Sequence, residues 1–267
     1  MSLFYLFILA FVQGITEFLP VSSSAHLILV PVLTGMPDQG QALDVAVHIG
    51  TLVAIVLFFR KDVFMALGGL PRLLRGKFDT PGARLAFLLI IATIPVIIIG
   101  FILNATGLSD MMRSVKVIGW TMLLFGLVLY VADQKGGTAK TDRDWSLKDA
   151  IIMGLWQAVA LIPGTSRSGI TITAARMLGY NRTDGAKIAM LMSIPTILAS
   201  GVLLGIEVAA EANLQTAKDG AIAAVFAFVA ALLALSVMMR LLKSVSFTPY
   251  VIYRIILGVV LLIYAYS

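Results

Sequence analysis

Two polar stretches interrupt the apolar sequence, and the residue types in them are those of acid–base and anion chemistry. The first is QGITEFLPVSSSAH, residues 13–26. If its first part is helical, Gln13 and Glu17 lie four apart on one face; Pro20 ends the helix, and Ser22, Ser23, Ser24 and His26 follow in the turn and the next helix. A serine hydroxyl becomes a nucleophile only beside a base, and Glu17 and His26 both lie near Ser23. Ser23 is therefore the candidate nucleophile, with Glu17 and His26 as candidate bases. The second stretch is LIPGTSRSGITIT, residues 161–173. Arg167 stands there among apolar neighbours, flanked by Ser166, Ser168 and Thr171. Its planar fork matches pairs of phosphate oxygens. Gly164 and Gly169 allow close backbone approach, and a helix starting near Ser168 aims free amides at the same place. The second stretch thus reads as an anion site, for phosphate or diphosphate. With both in one cavity, the residues suit cleavage of a phosphoanhydride.

The elements holding these stretches belong to a membrane. Of 267 residues, 60% are hydrophobic and 13% charged, with a mean hydropathy of +0.99; a water-soluble fold has no place to bury so much apolar surface. Runs such as AFLLIIATIPVIIIGFIL must be helical, because lipid offers no partner to an unpaired amide. The expected fold is all-α and polytopic. Apolar segments cover roughly Leu3 to Leu19, Ser24 to Leu33, Leu43 to Phe59, Arg84 to Leu103, Val117 to Ala132, Ala150 to Ile162, Gly169 to Leu178, Lys187 to Ile206, Gly220 to Leu242 and Pro249 to Tyr266. Six of them are long enough to cross. The two pairs flanking the polar stretches are predicted to form re-entrant helix-loop-helix hairpins.

The order of elements repeats. Gln13 precedes Pro20 as Gln157 precedes Pro163, Ser23 and Ser166 each stand three after the proline, and VIGWTMLLFGLVLY from Val117 resembles VIYRIILGVVLLIY from Val251. Within one membrane domain, residues 1–133 and 150–267 are expected to be inverted-topology repeats joined by a cytoplasmic linker at 134–149. Basic residues support an orientation with both termini outside. Nearly all lie in the loops 60–84, 134–149, 176–187 and 240–248, while the opposite side holds Arg113, Lys116 and Lys218 with acidic Glu207 and Glu211. That distribution also explains the net charge of +6 without a nucleic-acid partner. Cysteine is absent, which excludes disulfides and thiolate chemistry. The N-terminal stretch lacks a basic region before its apolar run and is read as part of the mature protein.

Taken together with FTPYVIYR at 247–254, the two polar stretches resemble the bacterial undecaprenyl-diphosphate phosphatases linked to bacitracin resistance, in order along the whole chain. The resemblance implies removal of the terminal phosphate from a polyprenyl diphosphate lipid in the bacterial cytoplasmic membrane. That reaction recycles the lipid carrier of cell-wall synthesis, at a site open to the outer face. It implies a divalent cation, Mg²⁺ or Ca²⁺, with Glu17 as its candidate ligand. By position, Gln13 and Glu17 take the family's paired Glu/Gln and Glu places, Ser23 that of its proposed nucleophile and His26 that of its histidine, while Ser166, Arg167 and Thr171 fall on its phosphate-binding motif. Glu17 and His26 are then the catalytic candidates beside Ser23, Gln13 a further candidate for the phosphate, and Ser168 and Arg254 supporting residues. Gln13 replaces a common glutamate, which weakens a two-carboxylate metal site and leaves Gln13 to orient Glu17 or the phosphate. Ala25 replaces a common glycine.

Other readings compete. Ser22, Ser24 and Ser168 suit helix caps or contacts between helices. Glu17 and Arg167 can form a structural ion pair, and His26 can be a cap. His48, with no polar neighbour in sequence, reads as structural, Arg254 as a residue that snorkels to the surface, and 134–149 as a solvated linker. An inverted repeat around an anion site also fits a transporter or flippase of a polyprenyl phosphate lipid, but such a protein needs no nucleophile at Ser23. The oligomeric state stays open, a homodimer among the options.

Overall fold

The computed structural model describes residues 2–35, 39–112, 114–211 and 214–267. Arg113, one of the expected outer basic residues, lies outside them, as do the side chains of Glu207 and Glu211. The described residues are helical apart from short connections and an isolated bridge between Lys140 and Tyr180.

Serines start the two interrupted units. Helix α1 (Leu3–Phe18) begins where Ser2 Oγ accepts from Tyr5 N at 3.2 Å, and after a break at 19–22 the chain resumes as α2 (Ser23–Thr34). Six helices are long and apolar enough to cross a membrane: α3 (Gln41–Phe58), α5 (Pro81–Ala105), α7 (Val115–Lys135), α10 (Arg182–Glu211), α11 (Leu214–Leu241) and α12 (Thr248–Tyr266). Their outer faces carry exposed Leu, Ile, Val and Phe, as lipid-facing surfaces do, so the chain is a multi-pass membrane protein. Between α3 and α5, where the sequence suggested only a loop, lies α4 (Arg60–Leu73), which packs on α5. Its apolar residues are interleaved with Arg60, Lys61, Asp62 and Arg72, so it was too polar to register as a span. A single turn, α6 (Leu108–Met111), precedes α7. The second interrupted unit consists of α8 (Leu147–Val159), started by Ser146 Oγ accepting from Asp149 N at 3.1 Å, and α9 (Arg167–Met177).

Contacts run across the two parts of the chain more than within them. Helix α1 packs on α2, α3 and α11, and α8 packs on α9 and α5; α3 meets α10 and α11, α5 meets α10, and α7 meets α12 and α9. One apolar cluster joins Phe18, Ile55, Leu129, Ile172, Met190, Leu235 and Phe247. Burying such surface is the main favourable term in packing.

Much of the segment 134–149 is exposed, as expected of a linker, but it is anchored at particular residues. Trp145 is buried, Lys140 pairs through its backbone with Gly179 and Asn181 at 3.0 Å, and the Asp149 carboxylate accepts from Tyr180 at 2.6 Å and Lys140 Nζ at 3.0 Å. Burial and the Asp149 carboxylate both push the Tyr180 hydroxyl up. Close by, fully buried Asp133 pairs with Arg176 and Arg182 and accepts from Phe247 N. Arg176 also donates to the carbonyls of Gly136, Gly137 and Tyr180. Charged side chains on the flanking helices thus hold this segment's backbone, which a count of loop charges does not reveal.

Candidate active site

The two breaks share one backbone device. Among the described residues, Ser22 (φ 74°) and Ser166 (φ 72°) are the non-glycine residues with positive φ, a conformation with a steric cost for any residue bearing a Cβ. Each precedes the second helix of its unit. Each also lies near a second serine, Ser22 Oγ to Ser24 Oγ and Ser166 Oγ to Ser168 Oγ both being 3.2 Å. One interval separates Ser2 from Ser146, Gln13 from Gln157 and Ser22 from Ser166. The structure therefore pairs Ser22 with Ser166, and Ser23 with Arg167, where proline spacing had paired Ser23 with Ser166. The shift arises because Gly164, not Pro163, stands opposite Pro20. Gly164 adopts φ 84°, and a Cβ there would lie 2.3 Å from Thr121 Oγ1 and 2.7 Å from the Ile118 carbonyl.

Between the breaks lies a cavity of about 160 Å³ lined by Glu17, Ser22, Ser23, Ser24, His48, Ala160, Ser166 and Arg167. Glu17 is at its centre. Its Oε2 accepts from Ser23 Oγ at 2.7 Å and from Gln13 Nε2 at 2.8 Å, and its Oε1 accepts from Arg167 Nη2. Residues far apart in the chain thus meet at one carboxylate. Arg167 Nη1 is buried without a hydrogen-bond partner, so half of the guanidinium fork is uncommitted. Helix N-termini from both units reach this cavity. Ser166 Oγ accepts from Gly169 N at 3.1 Å, whereas Ser22 makes no side-chain cap, so α2 has the less satisfied first turn.

Arg254 does not snorkel. It is fully buried and donates to the carbonyls of Pro20 at 3.3 Å, Gly164 at 3.1 Å, Thr121 at 3.4 Å and Met122 at 3.3 Å. Pro20 and Gly164 are equivalent positions of the two breaks, so one side chain ties both irregular segments to α7. Backbone that leaves the helix inside a membrane needs such partners. A Cβ on Gly169 would lie 2.9 Å from Arg254 Nη1, so that glycine makes room for the arginine rather than for a ligand. Ser168 donates from Oγ to the Leu19 carbonyl at 2.9 Å and joins one break to the other.

The remaining predicted residues divide. Gln13 is buried beside Glu17 and does not line the cavity; its Oε1 has no partner. Thr171 turns its hydroxyl back to the carbonyls of Arg167 at 2.8 Å and Ser168 at 3.2 Å, outside the cavity lining. His26 is also absent from that lining. Its Nδ1 is 2.7 Å from the Ser22 carbonyl, its Nε2 is 2.5 Å from the Tyr253 hydroxyl, and its ring stacks on Tyr253. Both ring nitrogens are thus engaged away from Glu17, and the ring braces the strained serine. The histidine that does reach the cavity is His48, with Nε2 3.7 Å from Glu17 Oε2. Sequence reasoning missed it, although Asp44, His48 and Thr51 form a polar stripe along an otherwise apolar helix. The implied cation finds a poor set of donors. Both Glu17 oxygens are committed, Gln13 supplies one free neutral oxygen, and among the described residues no three His, Cys, Asp or Glu side chains cluster to hold a metal. These residues do not make a metal site of their own.

Comparison with known proteins gives the family. The family model described as bacitracin resistance protein BacA matches residues 6–260. The chain belongs to the BacA family. Over 267 residues, covering all of both chains, it is 71% identical to a protein named undecaprenyl-diphosphatase from Jannaschia sp. (strain CCS1) and 69% identical to one of the same name from Ruegeria pomeroyi. A BacA relative from Maricaulis maris, also named undecaprenyl-diphosphatase, is 47% identical over 270 residues, covering 99% of each chain.

Proposed function

We propose that this BacA protein hydrolyses undecaprenyl diphosphate to undecaprenyl phosphate and inorganic phosphate. The observation that carries this reading is the 2.7 Å hydrogen bond from Ser23 Oγ to Glu17, on the carboxylate that also holds Arg167. The names and high identities of the relatives support the same substrate. The diphosphate enters beside Ser23 and draws the guanidinium of Arg167 to its oxygens. Ser23 Oγ attacks the terminal phosphorus and gives its proton to Glu17. The bond to the bridging oxygen breaks, and the lipid monophosphate leaves. Water then attacks the phosphoserine and returns a proton through Glu17, which frees phosphate and restores the serine hydroxyl. Phosphoryl transfer demands positioning and charge stabilisation, which Arg167, Ser22 to Ser24, Ser166 and the first turn of α2 are arranged to supply.

The architecture we infer is an inverted repeat with two re-entrant hairpins. Its support is the equivalence of the two breaks and the helix pairing: exchanging α1 with α8, α3 with α10, α5 with α11 and α7 with α12 carries the contacts α1–α11 and α3–α11 onto α8–α5 and α10–α5. The basic loops favour a cytoplasmic-membrane protein with both termini outside, and the family resemblance supports a cavity open to the outer face. The test is phosphate release from undecaprenyl diphosphate by purified protein in detergent. Wild type is expected to turn over, and Ser23→Ala and Arg167→Ala to lose activity while retaining their thermal transitions. Equal rates in wild type and Ser23→Ala would remove the serine from the mechanism. A lipid transporter with the same anion site would show no release.

A further inference from the structure

The Glu17–Arg167 pair poses a problem for the reaction. Glu17 is almost wholly enclosed, its side chain 5% exposed, and Arg167 is its strongest partner. A diphosphate competes for that guanidinium, whose Nη1 is already unpartnered. Once Arg167 turns to the phosphates, Glu17 Oε1 is bare, and before the transfer only Ser23 and Gln13 hold Oε2. A buried carboxylate that has lost its counter-ion is strongly disfavoured. It must find another donor or lose its alignment with Ser23.

His48 is placed to be that donor. Its Nδ1 lies 2.7 Å from the Asp44 carbonyl, an acceptor, so Nδ1 carries a proton and fixes the ring; Nε2 donates to Glu17 only when it too is protonated, so the role calls for the imidazolium form, which replaces one cation by another. Its Nε2 then faces the cavity, 3.7 Å from Glu17 Oε2, about one ångström beyond a charge-assisted hydrogen bond. The charged groups lining the cavity around it are Glu17 from α1 and Arg167 from α9; among the described residues, none from α4, α10 or α11 joins them. The side chain is 35% exposed, which leaves it room to move.

We propose that His48 is a positioning residue that takes over Glu17 when the diphosphate takes Arg167, keeping the carboxylate aimed at Ser23 through the transfer. This deepens the phosphatase reading and rests on it. The test compares kcat and KM for phosphate release from undecaprenyl diphosphate in wild type, His48→Leu and His48→Gln, whose amide carries an N–H toward the place of Nε2. Because losing alignment at a reacting group costs on the order of 100-fold, His48→Leu should lower kcat about 10- to 100-fold. A change of less than about 3-fold in KM would mark an effect on turnover rather than binding. His48→Gln should recover kcat to within about 5-fold of wild type, a pattern that lost packing alone does not produce. Should His48→Leu lose its thermal transition, His48→Asn replaces it, since its amide stops short of Glu17. Wild-type kcat in His48→Leu, equal impairment in His48→Gln, or a loss confined to KM would each overturn the proposal. Absence of release by wild type would overturn the phosphatase reading and this one with it, which separates the two failures.

Discussion

Replacing Arg254 by methionine takes away the donors of the Pro20 and Gly164 carbonyls, and the structure sets the size of the effect. Neither carbonyl has another hydrogen bond among the described contacts, whereas those of Thr121 and Met122 belong to α7. A buried acceptor left without a partner costs about 1–3 kcal/mol, so the two together cost about 2–6 kcal/mol. Against this, Arg254 has no carboxylate beside it among the described residues, and removing an unpaired buried guanidinium recovers part of its own desolvation cost. The expected net loss is therefore at the low end, about 2–3 kcal/mol. Function should suffer more than stability. Both breaks are held in register by this side chain, and a displacement of about 1 Å at reacting groups lowers turnover about 100-fold. Arg254→Lys, which can reach one carbonyl but not both, should fall between wild type and Arg254→Met. Thermal unfolding in detergent and phosphate release from undecaprenyl diphosphate, measured on the same preparations, give the two numbers. Wild-type midpoint and turnover in Arg254→Met would show that the breaks hold their shape without the clamp.

Glu17→Gln preserves the size of the side chain but removes the base, so phosphate release should drop about 10²- to 10⁴-fold while substrate still binds, as single-turnover and binding assays would show. Arg176→Met leaves Asp133 with Arg182 and the Phe247 amide and strips three loop carbonyls of their donor; breaking a buried pair costs about 3–5 kcal/mol, visible as a lowered unfolding midpoint. Gly164→Ala adds a Cβ against Thr121 Oγ1 and the Ile118 carbonyl at a positive φ. It should lower both midpoint and turnover, and Thr121→Ala should not rescue it, because the Ile118 carbonyl remains. For Asp149, burial raises the carboxyl's pKa, but the hydrogen bonds from Tyr180 and Lys140 outweigh it and hold the group below the ordinary carboxylate value. A lowered folded-state value stabilises the fold above the unfolded pKa, and that contribution is lost as pH falls through the folded one. Acidification should therefore destabilise wild type more steeply than Asp149→Asn, as read from unfolding midpoints across an acidic series.

Much of the fold was legible because lipid leaves the backbone few options. Each expected crossing segment became a helix, with ends shifted by at most six residues, since length and apolar composition decide the matter there. The helix Arg60–Leu73 was not legible, because charged residues that reach water around an apolar face look like loop charge in one dimension. The site divided along similar lines. Glu17, Ser23 and Arg167 could be read as polar groups where an apolar chain has no use for them, and they meet at one cavity. His26 and Arg254 carried the same kind of signal, yet they brace the breaks, because a strained serine and two exposed carbonyls require partners as much as a substrate does. Sequence shows that a polar residue is needed; it does not show whether backbone or ligand needs it. His48 failed the opposite test. Its neighbours in sequence are apolar, and its partner is on another helix.

The way α1 leans on α11, and α8 on α5, bears on how the chain is built. Glu17 leaves the ribosome 150 residues ahead of its counter-ion, and α1 must wait longer still for the helix it rests against. During synthesis the first interrupted unit thus carries an acid with no arginine and a break with no clasp. Its settling is deferred until the final helix delivers Arg254. Chains cut before α12 should accordingly be poor substrates for retention and good ones for membrane proteases, and the site should be complete only once α12 is in place.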